Sequence, residues 1–193
     1  TNSGIDSIKV LLKNRPRSVV EHISRTSYNL NSKKGKIQCL MGEQTFGTNE
    51  FYNVDVNAFK TYMEFFDVET PSYVIIAPSH FIFKQDFKEM LDYHIEQKND
   101  ITMLYHSASN IDKDFLMTDV LTIDKNNRIV EMNKNRGKFK NGDVSLETYI
   151  MDFNLFKELV DEASQTSSLY SLSDIVTDHV KIKKVGAYKN KGY

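Results

Sequence analysis

A single cysteine, Cys39, rules out an internal disulfide and suits a reducing compartment, which points to the cytoplasm. No apolar run approaches the ~20 residues of a membrane-spanning helix. No secretory leader is visible at the start. Neither sign of charge prevails: 25 basic residues face 26 acidic ones, for a net charge of -1. No global field therefore draws the chain to nucleic acid or to an anionic membrane. The usual phosphate cradles are missing too. There is no GxGxxG. Gly42 and Gly47 have the spacing of a P-loop, but Thr48 and Asn49 follow where Lys and Ser or Thr must reach phosphate and magnesium, so the stretch reads as a loop. No two of the five histidines have the HxxxH spacing of a helical zinc site, and one cysteine makes no metal cluster.

What is present centres on Ser72 to Tyr105. Tyr73 to Ala77 has the β-branched content and length of a buried strand. Pro78, Ser79 and His80 form a polar break. Phe87, Met90, Leu91 and His94 or Ile95 then recur at helical spacing, and Ile101 to Tyr105 reads as the next strand. Strand, loop, helix, strand is the building block of a parallel α/β sheet. Ligands of such sheets bind beyond the carboxyl ends of the strands, so the loop from Ala77 to Phe83 is the first place to look for function. His80 in that loop can bind phosphate or act as an acid or base, or it is a loop residue without chemistry. His22, His94 and His179 fall in predicted helices and are expected to be partly exposed.

The length of 193 residues suits one domain that buries on the order of 70% of its unfolded surface. Ile8 to Leu12 reads as the first strand, and Pro16 suits the first turn of a helix over about Arg17 to Ser24. Thr26 to Lys36 is expected as an exposed loop, Ile37 to Met41 as a short strand, and Gly42 to Asn53 has no clear period. A helix is predicted from about Val54 to Phe66. Ser107 to Asp114 reads as a polar connection. Leu116 to Ile123 and Arg128 to Met132 flank the turn-rich Asp124 to Asn127, a hairpin signal. Asn133 to Asp143 reads as a basic, polar loop, and Val144 to Met151 as a strand. A helix is predicted over Phe153 to Ala163, with Phe153, Phe156, Leu159 and Val160 inward. Another is predicted near Ser173 to Val180, capped by Ser171 or Ser173. Val185 to Tyr188 is the last strand. The basic stretches at Lys33 to Lys36, Lys134 to Lys140 and Lys181 to Lys191 are expected to be mostly solvated surface. Both ends look cut, as in one partial domain over residues 1–193.

Several short stretches, in order, resemble the sugar-nucleotide pyrophosphorylases, and most closely the glucose-1-phosphate adenylyltransferases (ADP-glucose pyrophosphorylases). Asn2, Ser3, Gly4 and Ile5 are similar to that family's NSGI. Arg17, Ser18 and His22 fit the helix that follows. Tyr73 to Ile76 with Phe83, Lys84, Asp86 and Phe87 fit its strand, GDHIYKxDY and helix. Glu89, Met90, Leu91, Tyr93 and His94, then Asp100, Ile101 and Thr102, continue the likeness. So do Arg128 to Glu131, Ser145, Tyr149 and Ile150, Asp174 and Ile175, and Gly192 with Tyr193. The resemblance implies a Rossmann-like, GT-A-like nucleotidyltransferase domain: a mixed, mostly parallel sheet with flanking helices. It also implies that the glycine-rich nucleotide loop lies before Thr1, and that a second metal-binding Asp and a β-helix domain lie after Tyr193.

The implied activity converts ATP and glucose 1-phosphate to ADP-glucose and pyrophosphate in glycogen biosynthesis, with magnesium expected in an active member. The departures from the pattern carry as much information. The family's metal-binding Asp falls on His80 or, with a one-residue gap, on Ser79, and neither supplies a hard anionic oxygen. No catalytic residue, metal ligand or cofactor is therefore assigned to this chain. Tyr52, Asn53 and Asp55 stand as a relic of the nucleotide loop, with bulky Tyr52 where the family has Gly. Glu131, Lys134, Ser145, Glu147, Tyr149 and Tyr193 stand as a relic of the sugar-phosphate pocket. Lys134 or Asn135 replaces the phosphate-holding lysine, and Glu147 replaces a Gly. This set of losses resembles the regulatory GlgD-type subunit, which implies a catalytic GlgC-type partner in a heterotetramer. Two other readings stand beside it: a non-enzymatic module that binds a sugar phosphate or nucleotide as effector, and an active pyrophosphorylase for another sugar.

Overall fold

The computed structural model of the chain describes residues 4–12, 16–29, 36–41, 55–68 and 70–191. Gly42 to Asn53, with Tyr52 and Asn53, lies outside the described residues, as do Asn2, Ser3, Gly192 and Tyr193.

Strands β1 (Ser7–Leu12) and β2 (Lys36–Met41) pair in parallel across helix α1 (Pro16–Asn29). Pro16 is the first helical residue, where its missing N–H costs nothing. The helix runs on to Asn29, so Thr26 to Asn29 is not the loop the polar composition suggested. Residues 30–35 lie outside the described set. The single helix expected over 54–66 is two, α2 (Asp55–Thr61) and α3 (Met63–Asp67). The Thr61 hydroxyl donates back to the Asn57 carbonyl at 2.8 Å, a contact that bends helices, and the aromatic residues that follow have modest helix propensity.

The expected central unit is present as β3 (Tyr73–Ile76), α4 (Phe87–Glu96) and β4 (Ile101–Ser109). Asp86 caps α4 by accepting from the Lys88 N–H. The two strands run in the same direction but are not neighbours. Strand β7 (Asn141–Asp152) lies between them, antiparallel to both, with Ile150 opposite Ile75 on one side and Thr102 on the other. Strand β8 (Val185–Lys189) pairs parallel on the far side of β4. Strands β5 (Asp119–Ile123) and β6 (Ile129–Lys134) form the predicted hairpin, and β5 joins β7 near Val144. The Asp124 carboxylate fixes the turn by accepting from the N–H groups of Asn126 and Arg128. The described strands form a two-stranded parallel sheet, β1 with β2, and a six-stranded mixed sheet with flanking helices, the mixed α/β class expected.

Helices α6 (Phe153–Thr166) and α7 (Leu172–His179) cover one face of the sheet, where Ile101, Met103, Met151, Phe156, Leu159, Ile175 and Val185 are buried together. Helix α4 covers the other face, over Leu104, Ile150 and Tyr188. The odd and even residues of β4 thus go to opposite faces, as a pleated strand requires. Strand β3, expected to be buried, is only half so, and Tyr73 is exposed; among the described residues β7 is its one strand partner. Ser171 makes a capping box with Asp174 and settles which serine caps α7.

Two expectations about polar residues fail. His94, expected to be partly exposed, is 4% exposed, and its Nδ1 lies 2.8 Å from the buried Thr102 hydroxyl. On α4 it is His94 that turns inward and Ile95 that faces solvent. Asn135, in the supposed solvated loop, is fully buried: its side chain donates to the carbonyls of Ile111 and Phe115 and tethers the loop to the short helix α5 (Ile111–Asp114). Strand β4 and α5 also take up most of the polar connection expected over 107–114. Among the described residues, no helix is long and apolar enough to cross a membrane.

Candidate functional site

The loop between β3 and α4 emerges at the carboxyl end of β3, with Ser79 and His80 exposed. Its far side is held by Asn190, whose side chain donates to the Lys84 carbonyl at 2.9 Å. The His80 ring lies against Phe81, and its Nε2 is 3.7 Å from Glu147 Oε2.

Glu147 reaches the loop because β7 is irregular there. Leu104 of β4 faces Thr148 and Tyr105 faces Ser145, so Leu146 and Glu147 have no partners and form a bulge. Glu147 has φ +48°, in the left-handed region that disfavours a side chain. Its N–H donates to the buried Ser145 hydroxyl at 2.9 Å, which holds the bulge shut. Loss of water around the Glu147 carboxyl pushes its pKa up, against the pull of His80 and Lys134, and Asp119 and Asp55 push it further.

Behind Glu147 lies Tyr149, whose enclosed hydroxyl has no hydrogen-bond partner among the described residues. Burial, then the Glu147 carboxylate, drive its pKa far upward, while the nearby Ser173 hydroxyl acts the other way. Ser173 donates its own proton to Asp119. Asp119 is 2% exposed and also takes Lys134 Nζ at 2.9 Å. The hairpin thus delivers both members of an ion pair, Asp119 at the start of β5 and Lys134 at the end of β6.

Asp55, the first residue of α2, accepts from the Leu172 N–H at the start of α7 at 3.1 Å and from the Val56 N–H at 2.8 Å. Asp55 keeps some exposed surface, yet protein packed around its carboxyl displaces enough water to raise its pKa. The two N–H groups oppose that rise, and Asp174 adds to it.

The structure therefore gathers Asp55, Lys134, Ser145, Glu147, Tyr149 and His80 at one end of the sheet. His80, Lys134, Asp119 and Asp55 all act on the Glu147 charge. Glu131 does not join them. It alternates with Met132 and Lys134 along β6, so it faces the opposite side of the strand, and it is exposed. Tyr52, Asn53 and Tyr193 lie outside the described residues. Asp119 and Ser173 escaped sequence reasoning: they are 54 positions apart and neither stands in a motif.

The donor set does not fit magnesium. A serine hydroxyl and an imidazole offer no hard anionic oxygen in the β3–α4 loop. Of the nearby acids, Asp119 is taken by Lys134 and Ser173, Asp55 by the N-terminus of α7, and Glu147 is a lone carboxylate beside His80. No group of three or more potential ligands comes together among the described residues.

A family model described as nucleotidyl transferase matches residues 1–114. The whole chain is also similar to curated proteins named glucose-1-phosphate adenylyltransferase. It is 26% identical to one from Mycoplasma mobile, covering 51% of that protein. It is 26% identical to one from Thermosipho melanesiensis, covering 47%. It is 27% identical to one from Clostridium acetobutylicum, covering 51%. The chain spans about half the length of these curated relatives.

Proposed function

The chain belongs to the nucleotidyl transferase family, and on that premise we propose that it is part of a glucose-1-phosphate adenylyltransferase subunit of glycogen biosynthesis, of the regulatory, catalytically deficient GlgD type. In that reaction an oxygen of the sugar phosphate attacks the α-phosphorus of ATP, and pyrophosphate leaves with ADP-glucose as the product. The similarity to relatives of that name supports the substrate class.

One observation carries the regulatory reading. The β3–α4 loop presents Ser79 and His80, and no carboxylate from Pro78 to Gln85, where a hard anionic ligand for magnesium would be needed. Metal-assisted charge neutralisation on the transferring phosphates then belongs to a catalytic GlgC-type partner in a heterotetramer. What this chain's own residues support is binding. Lys134 brings a positive charge and Glu147 a partly exposed carboxylate, while the buried Ser145 hydroxyl and Asp55 fix the strand and helix behind them.

The test is turnover. The purified protein, given ATP, glucose 1-phosphate and magnesium, should form no ADP-glucose, and its addition to a catalytic subunit should alter that subunit's rate or effector response. Clear ADP-glucose formation by this protein alone would overturn the reading.

A further inference from the structure

We propose that Glu147 sets the charge preference of this site: as a carboxylate it turns away a phosphate dianion and accepts an uncharged sugar hydroxyl, and once neutral it admits the sugar phosphate. The proposal rests on the sugar-phosphate reading above and adds a regulation to it.

The geometry comes first. Glu147 occupies the apex of the β7 bulge with a left-handed backbone, and the Ser145 hydroxyl and the Thr148 side chain, which donates to the Leu146 carbonyl, hold it there. A bulge of this kind re-aims a side chain, here toward the β3–α4 loop. The carboxylate is 30% exposed and 3.7 Å from His80. His80, from the loop after β3, is its near neighbour; Lys134 from β6, Asp119 from β5 and Asp55 from α2 also act on its charge, and it acts in turn on Tyr149 of its own strand.

The charges decide the consequence. Among the described residues, Glu147, Asp119 and Asp55 are set against two potential cations, Lys134 and His80. Lys134 is bound to Asp119, and His80 is charged only when protonated. Among the described residues the site thus holds more acidic groups than basic ones. A phosphate monoester brings nearly two more negative charges, and in a half-desolvated site that repulsion is not screened as it is in water. A sugar hydroxyl meets no such penalty. It can donate to the partly exposed Glu147 carboxylate.

The experiment is calorimetric titration of the purified protein and its Glu147→Gln variant with glucose 1-phosphate and with glucose, at about pH 7.5 and about pH 5.5. At the higher pH the variant should bind glucose 1-phosphate about tenfold more tightly than the wild type, with glucose affinity changed less than about twofold. Acidification should tighten the wild type more than the variant. Both retain His80 and face the same ligand protonation, so the difference isolates Glu147. Glu147→Gly, which suits the left-handed backbone, serves the same comparison should the glutamine variant fold poorly. Equal affinity of wild type and variants for glucose 1-phosphate overturns the proposal. If none of them binds glucose 1-phosphate, ATP or ADP-glucose, the sugar-phosphate reading itself falls, and the proposal with it.

Discussion

Strand β7 has two halves of opposite character. From Tyr149 to Met151 it is paired on both sides, with β3 and β4, in unbroken register. Ile150 and Met151 there are fully buried, one toward α4 and the other toward α6 and α7. From Ser145 to Thr148 the register breaks, a glutamate takes a left-handed backbone, and side-chain hydroxyls bond back to their own strand. The regular half is where packing and ladder agree. The irregular half gives up ladder bonds and positions a carboxylate at the mouth of the site. The packed half and the half that lines the candidate site lie on one strand, within a few residues of each other.

That contrast can be broken most forcefully in the regular half. Ile150→Ala leaves a cavity between β3, β4 and α4, and should cost about 2–5 kcal/mol in a urea melt. A loss below about 1 kcal/mol would mean that this half is not the better packed one. The next effect belongs to the support behind the site. Asp119→Ala strips Lys134 and Ser173 of their shared acceptor, and should cost about 1–3 kcal/mol. Part of the Lys134 side chain reaches solvent and can recover hydration, which keeps the loss below that of a wholly buried pair.

The irregular half should respond with the opposite sign. Glu147→Gly relieves the left-handed backbone and removes a carboxylate held where water is scarce, so it should stabilise by about 0.5–1 kcal/mol. The same change at Thr148, beyond the bulge, should destabilise by a similar amount. Equal losses at the two positions would erase the distinction.

The smallest effect is one of pH and reads the regular half again. His94 sits behind Thr102, the β4 partner of Ile150, and burial lowers its pKa, with Asp100 and Asp152 opposing. Its folded value therefore lies below its unfolded one. Between the two the unfolded chain binds the extra proton, so stability falls as pH drops below about 6.5. A melt series from about pH 7.5 to 5 should show that slope, and His94→Gln should flatten it. An unchanged slope would move the titration elsewhere.

Much of this was legible beforehand for a local reason. The β3–α4–β4 unit, the hairpin around Asp124 to Asn127 and the inward face of α6 each follow from residues close in sequence, where a period of 2 or 3.6 shows directly. The resemblance also pointed to Lys134, Ser145, Glu147 and Tyr149. His94 and Asn135 misled because a polar side chain looks solvent-bound until its partner is known. Those partners, Thr102 and the carbonyls of Ile111 and Phe115, are visible only in the folded chain.

By itself the sequence determined that the chain alternates strands and helices, and that no carboxylate lies in the loop after β3. Both are properties of short contiguous stretches. Only the tertiary structure decided that β7 inserts between β3 and β4, that its bulge turns Glu147 toward His80, and that Asp119 joins Lys134 to Ser173. These depend on pairings between residues far apart in the chain. No local period encodes such a pairing, and it forms only when burial of both sheet faces selects one register.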